Sequence, residues 1–508
     1  MIDSSETVLA PGGVLRRHGA LALLLAAGLA LRILTQIAYQ PALLFIDTKK
    51  YIFGTDLTAP AWGSYDPIGY TLLVLRPVLM FANLGFVALL QHAAGLAMAV
   101  ALYALMLRRG VARPLAALAV APVLLDAYQL NAEQTIMPDV LFQALVVAGL
   151  VVLLWQPRPG PGLVIAGGLL LGSAAPVRQV GEALLVPALV FVLAAAPGWR
   201  TRLLHGTVLT ACFALPVLGY MAYSDVILHY GFELSNMDDA YLYGRTAHAA
   251  DCATLNIPAA LRPLCPAPQV AATLGVDGLV NSTGAARMPV NAKPDQRAGT
   301  RPIRRELAYA VLRQQPLRVA GDITRDSVKV FALTRDGDKG DAPIARWQFQ
   351  TSYPYYPRGI TQYGPNSASG IFAATGGGGD ARVLRPAAIA LRDYQLHGGY
   401  TPGPVLLLAL LAGAAGIFAI SRRDPGDRGL ACLLLTTSAV AVLLGADLYQ
   451  FSWRYQLPAL VTLPVAGAIG ATAIARRVRE RRAIAVATAG AVPGRVGELA
   501  MAASEQVS

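Results

Sequence analysis

Charge is what this chain has least of. Asp, Glu, Lys and Arg together make up 14% of its 508 residues, against 55% hydrophobic residues, and the mean hydropathy is +0.49. That scarcity excludes a soluble multidomain protein of this length and points to an all-α polytopic membrane protein. Cysteine is also sparse. There are four, with no C-x-x-C and no Cys/His spacing suited to zinc, so the sequence offers no structural zinc site. Cys212 and Cys432 lie inside apolar stretches and read as small hydrophobes. Cys252 and Cys265 flank a Pro-containing hydrophilic stretch, and in an oxidising compartment a disulfide between them would add about 2–3 kcal/mol of local order. No internal repeat of fixed period is visible, and no cleavage site follows the first apolar run. That run therefore reads as an uncleaved anchor.

The formal net charge is +12, but the arginines fall in short clusters between apolar runs. Membrane orientation accounts for them and no nucleic-acid partner is implied. Ten spans are expected, at about 21–37, 85–107, 114–128, 138–155, 162–177, 179–196, 207–224, 403–421, 429–447 and 457–475. An additional helix at about 67–81 would lie at or dip into the membrane. This count puts the clusters at Arg108, Arg109 and Arg113, at Arg158, at Arg200 and Arg202, at Arg422, Arg423 and Arg428, and at Arg476 to Arg482 on the cytoplasmic side. Both termini are then cytoplasmic, in a bacterial plasma membrane. The domains are an N-terminal membrane module (1–224, with a first outer loop at 38–66), an extracytoplasmic segment (225–402), C-terminal membrane helices (403–475) and a basic tail (476–508), poorly ordered after Arg482. Within the outer segment, 301–333 reads as two helices broken at Gln315-Pro316. The Gly376 to Gly379 run reads as a flexible connector, and Asn281-Ser282-Thr283 as a sequon of little meaning.

Ionisable residues in or beside spans are costly and tend to be functional. The count puts Asp126, Glu133, Asp139, Arg178, Asp447 and Arg454 at outer helix ends, with Asp47, Lys49, Lys50 and Tyr51 in the first outer loop. An outer Arg runs against the topological bias, and its planar fork suits phosphate. Plain readings exist for each. Asp47, Lys49 and Lys50 can form a solvated interfacial loop, Asp139 can answer a helix dipole, the arginines can snorkel to head groups, and His92 can make a helix-packing hydrogen bond.

Four segments carry a resemblance: Asp47 to Tyr51 as Asp-x-x-x-Tyr, Asp66-Pro67-Ile68-Gly69-Tyr70, Glu133 to Phe142, and Arg454-Tyr455-Gln456-Leu457-Pro458. In order and spacing they resemble the GT-C superfamily of polyprenyl-phosphate-sugar-dependent glycosyltransferases, which includes protein O-mannosyltransferases and aminoarabinose transferases. The resemblance implies a GT-C-like bundle with interfacial helices in the first outer loop, a polyprenyl-phosphate-linked sugar donor and an extracytoplasmic acceptor (a glycan, lipid or protein). It also implies a base in the first outer loop, which by position is Asp47. Arg454, Arg178, Lys49 and Lys50 become candidates for holding the donor phosphate, and Tyr51, Glu133 and Asp139 further cavity candidates. Many members pair two acids where this chain has Ile46 and Asp47. A divalent metal, Mg²⁺ or Mn²⁺, is possible, but one carboxylate is a poor site for it. The alternatives are a lipid-linked glycan ligase or polymerase, and a transporter or flippase.

Overall fold

A computed structural model describes residues 17–53, 66–229, 231–235, 238–281, 294–356, 359–418 and 427–490. Arg422, Arg423, Ser282, Thr283 and the tail beyond 490 lie outside them. The chain is an all-α polytopic membrane protein. Among the described residues five helices are long and apolar enough to cross a bilayer: Gly19–Ala38, Leu84–Arg108, Trp199–Val226, Arg428–Tyr449 and the Trp453–Arg482 run. Arg113–Leu125 and Ala127–Gln134 form an apolar pair bent by 49°, and Asp139–Leu153, Pro161–Ala174, Gln179–Ala195 and Gly403–Ile417 are apolar but shorter. Each of the ten expected spans is thus an apolar helix. The interfacial helix comes out shorter than expected, a π turn over Thr71–Leu75 followed by Arg76–Leu79.

The last long helix is the core of the bundle. It packs on Gly403–Ile417, Arg428–Tyr449, Arg113–Leu125 and Leu84–Arg108. Small residues allow this closeness: a Cβ on Gly470 would sit 2.1 Å from the Ala412 carbonyl oxygen. Without a hydrophobic drive between helices in lipid, such backbone proximity is what holds them together. This helix continues to Gly490, past the Arg482 at which the sequence suggested order would end. The bend at Asp126 has a local cause, because its side chain accepts from Tyr128 N–H at 2.9 Å and caps the helix that follows.

One face of the bundle carries the segment between residues 227 and 402. Its helices Asp238–Ala249, Pro268–Asn281, Pro294–Gln314 and Pro316–Val328 gather around their own apolar cluster, including Tyr243, Leu261, Leu307 and Val311. Gln315 is the break between the last two, as its following proline requires. A disulfide joins Cys252 to Cys265, with Cα atoms 5.9 Å apart. The first part of the segment is more helical than its prolines and turn residues suggested, and so is the last, which contains Ala368–Ala374 and Arg385–Leu396.

The segment is fastened to the membrane helices by polar contacts. Tyr39–Gln40 pairs antiparallel with Arg382–Val383, Arg335 meets Asp126 at 2.9 Å, and Ser327 donates to Asp447 at 2.8 Å. Asp126 and Asp447 are therefore anchors for the segment. The Gly376 to Gly379 run has a conformational need for its glycines. All four glycines have φ between 82° and 104°, which side chains rarely adopt, and a Cβ at Gly378 would come within 3.2 Å of Asn83.

Candidate active site

The loop carrying Asp47 is held from beneath. Leu43 N–H donates to the Gln134 carbonyl and Ile136 N–H to the Leu43 carbonyl, both at 2.9 Å. Thr48 Oγ1 accepts from Phe45 N–H at 2.7 Å and donates to the Ile136 carbonyl at 3.0 Å. Asp47 thus sits at the head of the short helix Thr48–Phe53. One turn on, Lys50 Nζ lies 2.9 Å from Asp47 Oδ1 and 2.8 Å from Asp66 Oδ2.

The Asp66 to Tyr70 motif has a steric purpose. Gly69 N–H donates to the Pro176 carbonyl at 2.8 Å, and a Cβ on Gly69 would meet that oxygen at 2.4 Å. Only glycine lets the first loop lie this close to the chain two residues before Arg178. Arg178 itself stands in extended conformation between Pro161–Ala174 and the 3₁₀ turn Gln179–Leu184, while Arg454 lies in the 3₁₀ turn Trp453–Gln456.

These elements bring two arginines to one acid. Arg178 Nη1 contacts Asp139 Oδ1, and Arg454 Nε lies 3.6 Å from the same oxygen. Tyr455 stacks beneath both guanidinium groups, at 4.5 Å from Arg178 and 4.8 Å from Arg454. Trp347 and Phe45 also flank Arg454, at 4.7 and 5.5 Å. Arg454 is 7% exposed, yet among the described residues its Nε and Nη1 make no hydrogen bond, and neither does Asp139 Oδ2. Buried donors left unused are unusual and expensive, and an anion would satisfy them. A small cavity bounded by Asp139, Gln143, Arg178, Arg454 and Tyr455 opens there.

Electrostatics tie Asp47 to this cluster. Burial pushes its carboxyl pKa up, but Lys50, Arg454 and Arg178 outweigh that and hold it below the ordinary carboxylate value. Burial likewise disfavours the Lys50 ammonium, and Asp47 and Asp66 overcome it, raising its pKa well above the usual lysine value. Tyr51 belongs to the same cluster, its hydroxyl pKa raised by burial and by Asp66.

The structure does not bring every candidate here. Glu133 is fully buried deeper in the bundle, 2.8 Å from Arg32 Nη2 and 2.9 Å from His92 Nδ1. The other ring nitrogen of His92 lies 2.8 Å from Gln134 Oε1. Lys49 reaches the other way, to Asn366 Oδ1 at 2.8 Å. Residues that the sequence did not single out are Asp66 as the second acid on Lys50, Tyr455 beyond its motif, and Trp347. Trp347 arrives from the outer segment, 107 residues before Arg454 in a region without motifs, and no local pattern marks it.

No protein-family model matches the chain, and no curated protein matches it. Solved structures that match the chain include these three. The archaeal oligosaccharyltransferase AglB from Archaeoglobus fulgidus, in complex with an inhibitory peptide and a dolichol-phosphate, aligns with 95% of this chain and 53% of its own, at 14% identity and a TM-score of 0.37. ArnT from Cupriavidus metallidurans bound to undecaprenyl phosphate aligns with 90% of this chain and 78% of its own, at 13% identity and a TM-score of 0.32. The same protein in the apo state gives 85%, 78%, 14% and 0.32. The chain spans about half the length of the oligosaccharyltransferase.

Proposed function

We propose that the chain is an integral-membrane glycosyltransferase of GT-C type that moves a sugar from a polyprenyl-phosphate carrier to the hydroxyl of an extracytoplasmic acceptor in the cell envelope. The observation that carries the reading is the convergence of Arg178 and Arg454 on Asp139, with Asp47 in the field of both arginines, at the face that carries the outer segment. Asp47 is the general base. Its Oδ1 is engaged by Lys50, and among the described residues Oδ2 takes no hydrogen bond, so Oδ2 can accept the acceptor's proton. As the new bond from acceptor oxygen to anomeric carbon forms, the bond from that carbon to the phosphate oxygen breaks and its electron pair leaves with the lipid phosphate. Arg454 and Arg178 hold the phosphate before and after this step, with Asp139 keeping both guanidinium groups aligned.

A lipid-linked donor fits the location. The arginine clusters Arg108, Arg109, Arg113, Arg200, Arg202 and Arg428 sit at helix ends away from the site, so the positive-inside bias makes the site face non-cytoplasmic. Nucleotide sugars are made on the other side. The Cys252–Cys265 disulfide suits an oxidising space. The test is Asp47→Asn, purified and folded, assayed for transfer from polyprenyl-phosphate-linked sugars. Loss of a general base lowers the rate by about 10²–10⁴-fold, whereas an unchanged rate removes Asp47 from the mechanism.

A further inference from the structure

We propose that Lys50 is the resident cation of this site, its ammonium bridging Asp47 and Asp66 in the place a divalent ion would take between two carboxylates, so that sugar transfer needs no metal. The inference rests on the transferase reading of the same site. The two carboxylates face one point, and Lys50 Nζ occupies it, 2.9 Å from Asp47 Oδ1 and 2.8 Å from Asp66 Oδ2. Mg²⁺ is held by one or two carboxylates with waters and substrate phosphates at about 2.0–2.1 Å, so it could enter here only by displacing Lys50, and among the described residues no group of three or more His, Cys, Asp or Glu offers another place for it. The donor set here fits an ammonium instead.

Charge balance favours the same assignment. Among the described residues three carboxylates share three cations: Lys50 bridges Asp47 and Asp66, and Arg178 and Arg454 share Asp139, which leaves a neutral cluster for an anionic donor to enter. Without Lys50 the cluster carries a net negative charge and repels phosphate. An ammonium has three N–H donors. Two are directed to Asp47 and Asp66, and among the described residues the third has no partner. The Lys50 side chain is 33% exposed, so this third donor is available to a phosphate oxygen. Lys50 thus joins the two arginines as a phosphate ligand and keeps Asp47 ionised.

The experiment uses the full chain in detergent, with Mn²⁺ titrated by electron paramagnetic resonance and transfer from a polyprenyl-phosphate-linked sugar measured in excess EDTA. The wild type is expected to bind no Mn²⁺ that Asp47→Asn abolishes, and to keep its rate in EDTA. Lys50→Met is expected to lose about 10²–10³-fold in rate, with Lys50→Arg, which keeps the cation, regaining part of it. An Asp47-dependent Mn²⁺ site in the wild type overturns the proposal, as does an EDTA-sensitive rate restored by Mn²⁺, or a folded Lys50→Met at the wild-type rate. If no lipid-linked sugar is transferred at all, the transferase reading fails, and Mn²⁺ binding still decides whether Lys50 fills the cation position.

Discussion

Arg454→Ala removes the cation on which the proposed phosphate site depends most. Arg454 is 7% exposed and Arg178 16%, so the field of Arg454 is the less screened of the two. Deleting one preorganised group aimed at developing charge costs about 2.7–4 kcal/mol, or about 10²–10³ in kcat. The variant should still fold. Asp139 keeps Arg178 as its partner, and the loss to stability is that of guanidinium stacking on Trp347, Tyr455 and Phe45, each contact worth about 0.5–2 kcal/mol. Arg454→Lys keeps the charge but loses the planar fork, and should recover only part of the rate. The assay is sugar transfer at saturating donor, with kcat and KM separated and the melting temperature measured alongside. A folded Arg454→Ala with wild-type kcat and only a raised KM would show that Arg454 binds the ground state and transition state equally, and would refute its role in steadying the leaving phosphate.

Other outcomes follow from the same geometry. Because cations hold the Asp47 carboxyl below its ordinary pKa, the base stays ionised as pH falls towards the carboxylate range. Lys50→Met gives burial more weight, so the acid limb of the kcat/KM profile should move to higher pH, and an unmoved limb would exclude Asp47 as the titrating base. Arg335→Ala leaves the Asp126 carboxylate buried without its cation and should cost about 3–5 kcal/mol. This would be read as a lower melting temperature and faster proteolysis of the outer segment, and Asp126→Asn in the same chain should recover part of the loss. Opening the 13-residue Cys252–Cys265 link with Cys252→Ser and Cys265→Ser should cost about 3 kcal/mol, visible as faster hydrogen exchange near residues 243–264 with transfer largely retained.

The bundle was legible in the sequence because hydropathy is a local property. A run of apolar residues in lipid has to close its own hydrogen bonds, so it becomes a helix wherever it occurs, and arginine clusters mark which ends lie together. Asp47, Arg178 and Arg454 could be picked out for the same reason, as charges in places where charge is expensive. What the residues do to one another was settled only by packing. Glu133 and Asp139 look alike in sequence, six residues apart at the same helix ends. One is buried with Arg32 and His92 and the other lies between Arg178 and Arg454, because the rotation of each helix about its axis depends on neighbours far along the chain. Asp126 and Asp447 became anchors, and Trp347 a wall of the site, through contacts with a segment whose path no nearby residue dictates. The sequence alone determined that this is a membrane bundle with charges in costly positions. The tertiary structure decided which of them meet, since a carboxylate's role is set by the cation it faces in space.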